Sequence, residues 1–211
     1  MCSDKQNIPI ATIKRLPIYL SVLNDFLQNG KKEVSSNAIA EVINENASLV
    51  KKDLSYVISQ MGKPKVGYEI EQLIKDLKNF LNHNKFNAAV IVGVGLLGSA
   101  LMSYTGFSEY NLKIVCGFDV DKSKINTTIS NKKIYDLNSL EQVVKNNNIK
   151  IGIITTTQSS AQQVADKLIE AGVKAIWNFT STHIDVPKNI IIKNEDLATS
   201  LVVISKQLEG I

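Results

Sequence analysis

The sequence predicts an α/β protein of two folded units closed by a terminal helix, and three observations carry that prediction. Apolar residues recur at helical spacing through the first eighty positions, and from Ala88 onward short apolar runs alternate with helical patterns. The glycines of Gly93-Val94-Gly95-Leu96-Leu97-Gly98 sit where the first such run meets the first such helix. The expected boundaries are 1–84, 85–194 and 195–211. At 211 residues the chain suits two small domains, because single domains mostly run about 100 to 150 residues. With 44% hydrophobic and 21% charged residues it is neither a disordered chain nor a membrane protein.

The first helix is written in Ile10, Ile13, Leu16, Leu20, Leu23 and Leu27, one apolar stripe at three- and four-residue steps that ends at Asn29-Gly30. Pro9 suits a first helical position. Pro17 lies inside the stripe and removes a backbone donor, so two short helices or one bent helix are expected. Ser35 or Ser36 caps a short second helix whose buried side is Ile39, Ala40, Val42 and Ile43, ending near Asn44. A third helix follows from Ala47, with Val50, Leu54, Val57 and Met61 inward and Ser48, Lys51, Lys52, Ser55 and Ser59 on the other face. Gly62-Lys63-Pro64-Lys65-Val66-Gly67-Tyr68 then breaks the period, as a hairpin or exposed loop does. Ile70, Leu73, Ile74, Leu77, Phe80 and Leu81 make a fourth amphipathic helix, and 82–87 reads as a polar linker.

Beyond the linker, strands are expected at 88–92, 113–118, 150–155, 173–179 and 190–193, with helices near 96–103, 139–146 and 160–171. This is the alternation of a parallel sheet. In the last segment Leu197, Leu201, Ile204 and Leu208 share one helix face too apolar for a free tail. Such a helix either joins a second copy in a dimer or packs on its own sheet.

A G-x-G-x-x-G run that follows a strand and opens a helix is a dinucleotide signal, and the second unit is accordingly expected to be Rossmann-like. Gly93 permits the tight turn, Gly95 the close approach of a pyrophosphate, and Gly98 the close packing of helix on strand. The helix amino end supplies unpaired N–H donors. The next strand ends at Phe118-Asp119, 26 residues on from Gly93, against a usual spacing of about 20. An acid there accepts both ribose hydroxyls of adenosine and repels a 2′-phosphate, which favours NAD over NADP; Asp119 is the choice over Asp121. The plainer alternative is that the glycines only close an α/β turn.

Several function classes fall away. Twenty-four basic and 20 acidic side chains leave +4, short of a polybasic protein yet compatible with a local patch. Cys2 and Cys116 offer neither a disulfide framework nor a clustered zinc site, so no metal is expected. Residues 1–7 lack the apolar run of about 7 to 15 residues of a signal peptide, and no window nears about 18 uninterrupted apolar residues. A cytoplasmic protein without a membrane span is therefore expected. His83 in the linker and His183 in a loop read as surface or turn residues rather than catalysts. The helical unit, the sheet and the last helix use up the chain, leaving no room for the substrate domain of an NAD-dependent oxidoreductase, which stays as the rival reading.

The N-terminal helices must then serve something other than chemistry. A short helix, a second helix with a Ser/Lys face, and a Gly/Pro loop bearing Lys63 and Lys65 meet the requirements of a winged helix-turn-helix, with the recognition helix in the major groove and the wing on the backbone or minor groove. Lys51 and Lys52 would reach phosphates or guanine edges, and Ser48 or Ser55 bases or phosphates. A four-helix interaction domain with a solvated charged face is the alternative.

Taken together, the chain resembles the Rex family of redox-sensing transcriptional repressors over nearly its whole length. The residues that carry the resemblance are Ile8-Pro9-Ile10-Ala11-Thr12-Ile13-Lys14-Arg15-Leu16-Pro17, Val34-Ser35-Ser36, Val50-Lys51-Lys52-Asp53-Leu54-Ser55-Tyr56, Val66-Gly67-Tyr68, the glycine run from Gly93 to Gly98, Phe118-Asp119-Val120-Asp121, Asn178-Phe179 and Glu195-Asp196-Leu197. The resemblance implies a homodimer whose winged-helix domains bind an AT-rich inverted-repeat operator in double-stranded DNA and whose Rossmann domains bind NADH or NAD. It also implies that the C-terminal helices swap onto the partner subunit and that NADH releases the DNA. Arg15, the single arginine of the chain, Tyr104 and Asp196 match the family's switch network, and Tyr104, Thr155 and Thr156 fall near the cofactor.

The chain departs from the family pattern at four places. Val57-Ile58-Ser59-Gln60-Met61-Gly62 replaces a Phe-Gly-Glu-Phe-Gly-like turn before the wing, and lysines stand in the recognition helix where arginine is common, which weakens bidentate reading of guanine. Thr155-Thr156-Thr157-Gln158 replaces an apolar, proline-containing loop, and Thr180-Ser181-Thr182-His183 an Ala-Pro segment. A more polar nicotinamide pocket blunts the preference for NADH over NAD or suits another nucleotide. A Rex-like paralogue that binds DNA with lost or altered sensing is therefore the alternative within the family.

Overall fold

A computed structural model of the chain describes residues 8–59, 62, 66–81 and 86–208. The chain divides into two compact units, Met1–Lys85 and Phe86–Ile211.

In the first unit α1 (Ile10–Gln28) runs as one helix through Pro17, so of the two expected alternatives the pair of short helices falls away. Leu16, Tyr19, Leu20 and Leu23 are buried on both sides of the proline, and their packing offsets the one missing backbone bond. The inward face is rotated from the predicted stripe: Thr12 is buried, whereas Ile10 and Ile13 are exposed. After β1 (Glu33–Val34), α2 (Ser36–Ile43) starts at Ser35, whose hydroxyl accepts the Ala38 N–H, and stops at Asn44 in the left-handed region. Ile39 and Ala40 are its buried residues; Val42, expected inside, faces solvent because the short helix presents only one side to its neighbours.

The third helix, α3 (Ala47–Ser55), is capped by the Asn46 side chain and is shorter than its apolar spacing suggested. Tyr56 and Val57 donate back to Asp53 and Leu54, three residues earlier, and this tightening ends the helix before Val57 can continue the stripe. Met61 lies outside the described residues. Ser59, expected on the polar face of α3, instead donates to Asp76 through its N–H and hydroxyl, so it belongs to the packing of α4 (Ile70–Phe80). Ahead of α4, β2 (Tyr68–Glu69) pairs antiparallel with β1, a small sheet the sequence did not announce. Gly67 has φ +100° and a Cβ there would lie 2.2 Å from the Val34 carbonyl oxygen, so this closure takes only glycine. Lys63 and Lys65 lie outside the described residues.

The second unit is a seven-stranded sheet. In chain order it contains β3 (Asn87–Val92), α5 (Leu96–Ser103), β4 (Leu112–Asp119), β5 (Thr128–Ile129), β6 (Lys132–Asp136), α6 (Leu140–Asn146), β7 (Ile151–Ile154), α7 (Gln158–Glu170), β8 (Ala175–Asn178), β9 (Ile191–Asn194) and α8 (Leu197–Leu208). The strand order is β5-β6-β4-β3-β7-β8-β9, with only β5 antiparallel. Val90, Val92, Phe118, Ile154 and Ile176 pack with residues of α6 and α7, while Ala89, Ile91, Ile114 and Ile153 face Met102 of α5 and Phe107. Burial on both faces explains why these strands read as continuous apolar runs. The pair β5 and β6 was missed because Lys132 and Lys133 sit in an edge ribbon with Ile134 its one fully buried residue.

Leu197, Leu201, Val202, Val203, Ile204 and Leu208 of α8 are all exposed, so these residues do not pack on their own sheet in this structure. A second apolar surface lies open in the same unit, a hollow of about 310 Å³ walled by Phe107, Ile114, Ile151, Ile153 and Trp177. Among the described residues, no helix is long and apolar enough to cross a membrane.

Candidate functional site

The order of the sheet reverses at β3, with β4 and β6 on one side and β7, β8 and β9 on the other. Ligands of open α/β sheets bind outside the carboxyl ends of the strands at such a reversal. There the structure places a cavity of about 420 Å³ walled by Gly93, Gly95, Asp119, Val120, Leu137, Thr155, Thr156, Thr157, Ser160 and Gln163.

Each glycine has its own reason. Gly93 turns at φ +93°, and a Cβ there would lie 2.7 Å from the Thr155 carbonyl oxygen. Gly98 brings α5 onto the turn so closely that a Cβ would lie 2.2 Å from the Gly93 carbonyl oxygen. At Gly95 nothing lies within 4 Å of the Cβ position, so the space a side chain would fill stays free for a ligand against the backbone. The N–H groups of Leu96 and Leu97, in the first turn of α5, have no partner within their helix and suit a diphosphate. The Val94 N–H is committed elsewhere: it donates to Asp119 Oδ2 at 2.8 Å. Leu96 itself is exposed, while Val94 is buried in the core.

Asp119, at the end of β4, is buried and fully engaged. Oδ2 accepts from Val94 and from Lys124 Nζ at 3.2 Å, and Oδ1 accepts the N–H groups of Val120 at 2.8 Å and Asp121 at 2.9 Å. Burial alone would raise its pKa, but the backbone donors of Asp121 and Val94 and the Lys124 ammonium outweigh it and hold the carboxyl below the usual range. Asp121 is exposed and caps its own turn through Ser123. Lys124 was not singled out from the sequence; no periodicity marks it, and only the return of the chain after β4 brings it to the carboxylate.

The opposite wall is polar. Thr155 Oγ1 donates to the Gly93 carbonyl at 2.7 Å, tying β7 to the glycine turn. Thr157 and Ser160, at the start of α7, place hydroxyls 2.9 Å apart. Ser160 and Gln163 were also missed, although the start of a helix after a central strand is where the crevice rule would have pointed. Glycine backbone, free helix-terminal N–H groups and one buried carboxylate fit the diphosphate and adenosine ribose of a dinucleotide. Thr180-Ser181-Thr182-His183 does not line the cavity. Its backbone is held by buried Asn178, which donates to the Thr180 and Thr182 carbonyls and accepts from the Thr180 N–H.

The three residues matched to a switch each have local partners. The Arg15 guanidinium is bound to Asp53, the Tyr104 ring packs edge-on against Phe107 at 4.9 Å, and Asp196 accepts from the Ala198 N–H and the Thr199 hydroxyl at the start of α8. Tyr104 does not line the cavity, because its ring turns over Gly106 instead. On α3, Ser48, Lys51, Lys52 and Ser55 are all exposed on the face away from Val50 and Leu54.

Comparison with known proteins covers both units. Residues 83–182 match the family model "CoA binding domain", and residues 7–55 match "Putative DNA-binding protein N-terminus". The chain is 38% identical over 205 residues to the redox-sensing transcriptional repressor Rex of Bacteroides fragilis, covering 97% of this chain and 93% of that one. It is 36% identical over 201 residues to the Rex of Listeria monocytogenes, covering 95% and 93%. The crystal structure of RSP in complex with beta-NAD+ and operator DNA superposes with a TM-score of 0.90 at 32% identity, covering 98% of this chain and 94% of that one. RSP in complex with beta-NADH gives a TM-score of 0.86 at 32% identity, covering 98% and 96%.

Proposed function

The chain belongs to the Rex family of redox-sensing transcriptional repressors, and on that premise we propose that it is a homodimeric repressor of the cytoplasm, binding operator DNA through its first unit and NADH or NAD through its second, with NADH releasing the DNA. The observation that carries this reading is the presence in one chain of an exposed Ser/Lys face on α3 and a glycine cradle closed on Asp119. The relatives that align with nearly the whole chain are repressors, so the chain is a regulator and not an NAD-dependent oxidoreductase.

In this reading Lys51 and Lys52 contact phosphates, Ser48 and Ser55 reach bases or phosphates, and Lys63 and Lys65 extend the contact through the wing. Gly93, Gly95 and Gly98 shape the diphosphate site, the N–H groups of Leu96 and Leu97 serve it, Val94 braces it by donating to Asp119, and Asp119 takes the adenosine ribose. The exposed apolar residues of α8 and the apolar hollow support a second copy as the cover for both surfaces, with α8 exchanged between subunits. Residues 195–211 then act as a dimerisation helix, and Arg15, Tyr104 and Asp196 as the switch.

A second reading has a specific observation in its favour. Thr156 and Thr157 line the cavity where the family carries an apolar loop, and a polar wall there supports a shifted preference between NADH and NAD. A mobility-shift titration on a duplex with an AT-rich inverted repeat, with no cofactor, NAD or NADH, tests both readings. Binding that NADH abolishes and NAD does not is expected. Binding indifferent to cofactor would leave the DNA-binding half alone standing, and no shift under any condition would remove the repressor reading.

A further inference from the structure

One buried carboxylate, the partner of Arg15, is left unused by the reading above. Asp53, on α3, is 1% exposed, and its carboxylate accepts four hydrogen bonds from three residues of α1. Arg15 Nε donates to Oδ2 at 2.6 Å and Arg15 Nη2 to Oδ1 at 3.0 Å, a bidentate fork. Tyr19 donates to Oδ2 at 2.7 Å and Thr12 to Oδ1 at 2.8 Å. Thr12, Arg15 and Tyr19 stand at i, i+3 and i+7, so one face of α1 is built around this single carboxylate. Among the described residues every hydrogen bond between α1 and α3 ends on Asp53.

The position of Asp53 in the sequence decides what the cluster does. It follows Lys51 and Lys52 directly and stands two residues before Ser55, so the exposed polar face of α3 and the buried tether belong to the same turns of helix. A shift of the tether moves those side chains with it, because a nine-residue helix moves as a rigid piece. Arg15 is the accessible member of the cluster, with 21% of its side chain exposed against 1% for Asp53. Its fork spends two of its five N–H groups on the carboxylate and leaves three that Asp53 does not take. Weakening the fork leaves a buried carboxylate with neutral donors only, an arrangement that α3 cannot keep without moving.

We propose that Asp53 is the positioning residue of the DNA-binding face: through the Arg15 fork it seats α3, and what happens at the outward side of Arg15 reaches the DNA through this pair. The proposal rests on the repressor reading for its DNA and NADH arms. Asp53 touches no DNA, so it governs the placement of Lys51, Lys52 and Ser55 and not the number of phosphates they meet.

The test uses the full chain, with operator affinity measured over a salt series, with and without NADH, and NADH affinity measured without DNA. Asp53→Asn is expected to lower operator affinity about tenfold or more at every salt concentration while the slope against salt stays at the wild-type value, whereas Lys52→Ala loses about one charge from the slope. In Asp53→Asn the effect of NADH on operator affinity shrinks to within about twofold, yet NADH binds the free protein as it binds the wild type. Wild-type operator affinity in Asp53→Asn, a changed salt slope, or an undiminished NADH effect would each overturn the proposal. Should Asp53→Asn fail to fold, Arg15→Lys keeps the cation and loses the fork, and an undiminished NADH effect there overturns it equally. If the wild type itself binds operator without responding to NADH, the sensing reading fails, while the affinity and slope arms still judge Asp53.

Discussion

Asp119 has four donors before any ligand arrives, so a ribose must displace one of them. The three backbone N–H groups are fixed by the turn, and Lys124, whose side chain is 37% exposed, is the donor free to leave. Asp119→Ala therefore removes an ionised acceptor for the ribose. A hydrogen bond to a charged group contributes about 1.5–3 kcal/mol, so NADH affinity should fall on the order of tenfold to a hundredfold. NADPH, whose 2′-phosphate the carboxylate repels, should lose much less, and fluorescence titration of both cofactors would show the gap closing; equal losses would make Asp119 a brace of the loop only. Asp53 gives a pH prediction. Burial raises its pKa and the bonds from Arg15, Tyr19 and Thr12 more than reverse this, so its folded value lies below the unfolded value of about 3.9. Its stabilisation is thus complete above that unfolded value and is lost as pH falls through the folded one. The thermal midpoint of the wild type should drop on acidification below about pH 4 more steeply than that of Asp53→Asn, and parallel curves would show the pair contributes nothing to acid stability. None of this pairing was visible in the sequence, because Arg15 and Asp53 are 38 positions apart and a buried carboxylate on an otherwise charged helix looks like one more solvated residue.

At the level of elements, legibility followed hydropathy. The stripe of α4 and the strands β3, β4, β7 and β8 were readable because burial and apolar character coincide there, whereas β9 was readable from its apolar run although Ile191 is exposed. The face of α1 was misjudged where they do not: Thr12 and Tyr19 are buried for the sake of their hydroxyls, while Ile10 and Ile13 are left outside. The length of α3 was misjudged because apolar spacing continues past Ser55 although the backbone tightens there. The turn at Gly93 and the close packing at Gly98 were legible, since strand, turn and helix stand in fixed order, but the opposite wall at Ser160 and Gln163 came from a part of the chain with no motif. The terminal helix was legible as an apolar stripe, and the structure adds that Val202 and Val203 widen it. A surface this apolar on an unpacked helix calls for a partner. Deleting the chain from Glu195 onward should turn a dimer into monomers in sedimentation velocity, with the glycine cradle intact and still binding NADH. A stable dimer after truncation would move the interface to another surface.

For the whole molecule, the two units matter to each other only if ligand at one changes affinity at the other. NADH and NAD differ at the nicotinamide alone, by one positive charge and by ring planarity, so any discrimination originates at that end of the cavity; Thr155, Thr156 and Thr157 are the candidates. On the proposed reading the adenosine end, with Asp119 and the glycine turn, holds both forms alike and would not shift an equilibrium, since a ligand moves a two-state system only by its differential affinity. Coupling is also reciprocal: if NADH lowers operator affinity by some factor, operator lowers NADH affinity by the same factor, typically about 5- to 150-fold for allosteric systems. Titrating NADH and NAD into free protein and into protein saturated with operator measures this directly. NADH should bind the operator complex more weakly than the free dimer by the factor seen in the mobility shift, and NAD should change little. Replacing Thr156 and Thr157 by valine makes that wall apolar and should widen the difference between the two cofactors without changing the affinity they share. Equal NADH affinity with and without operator would mean that the second unit binds a dinucleotide for structural reasons and senses nothing.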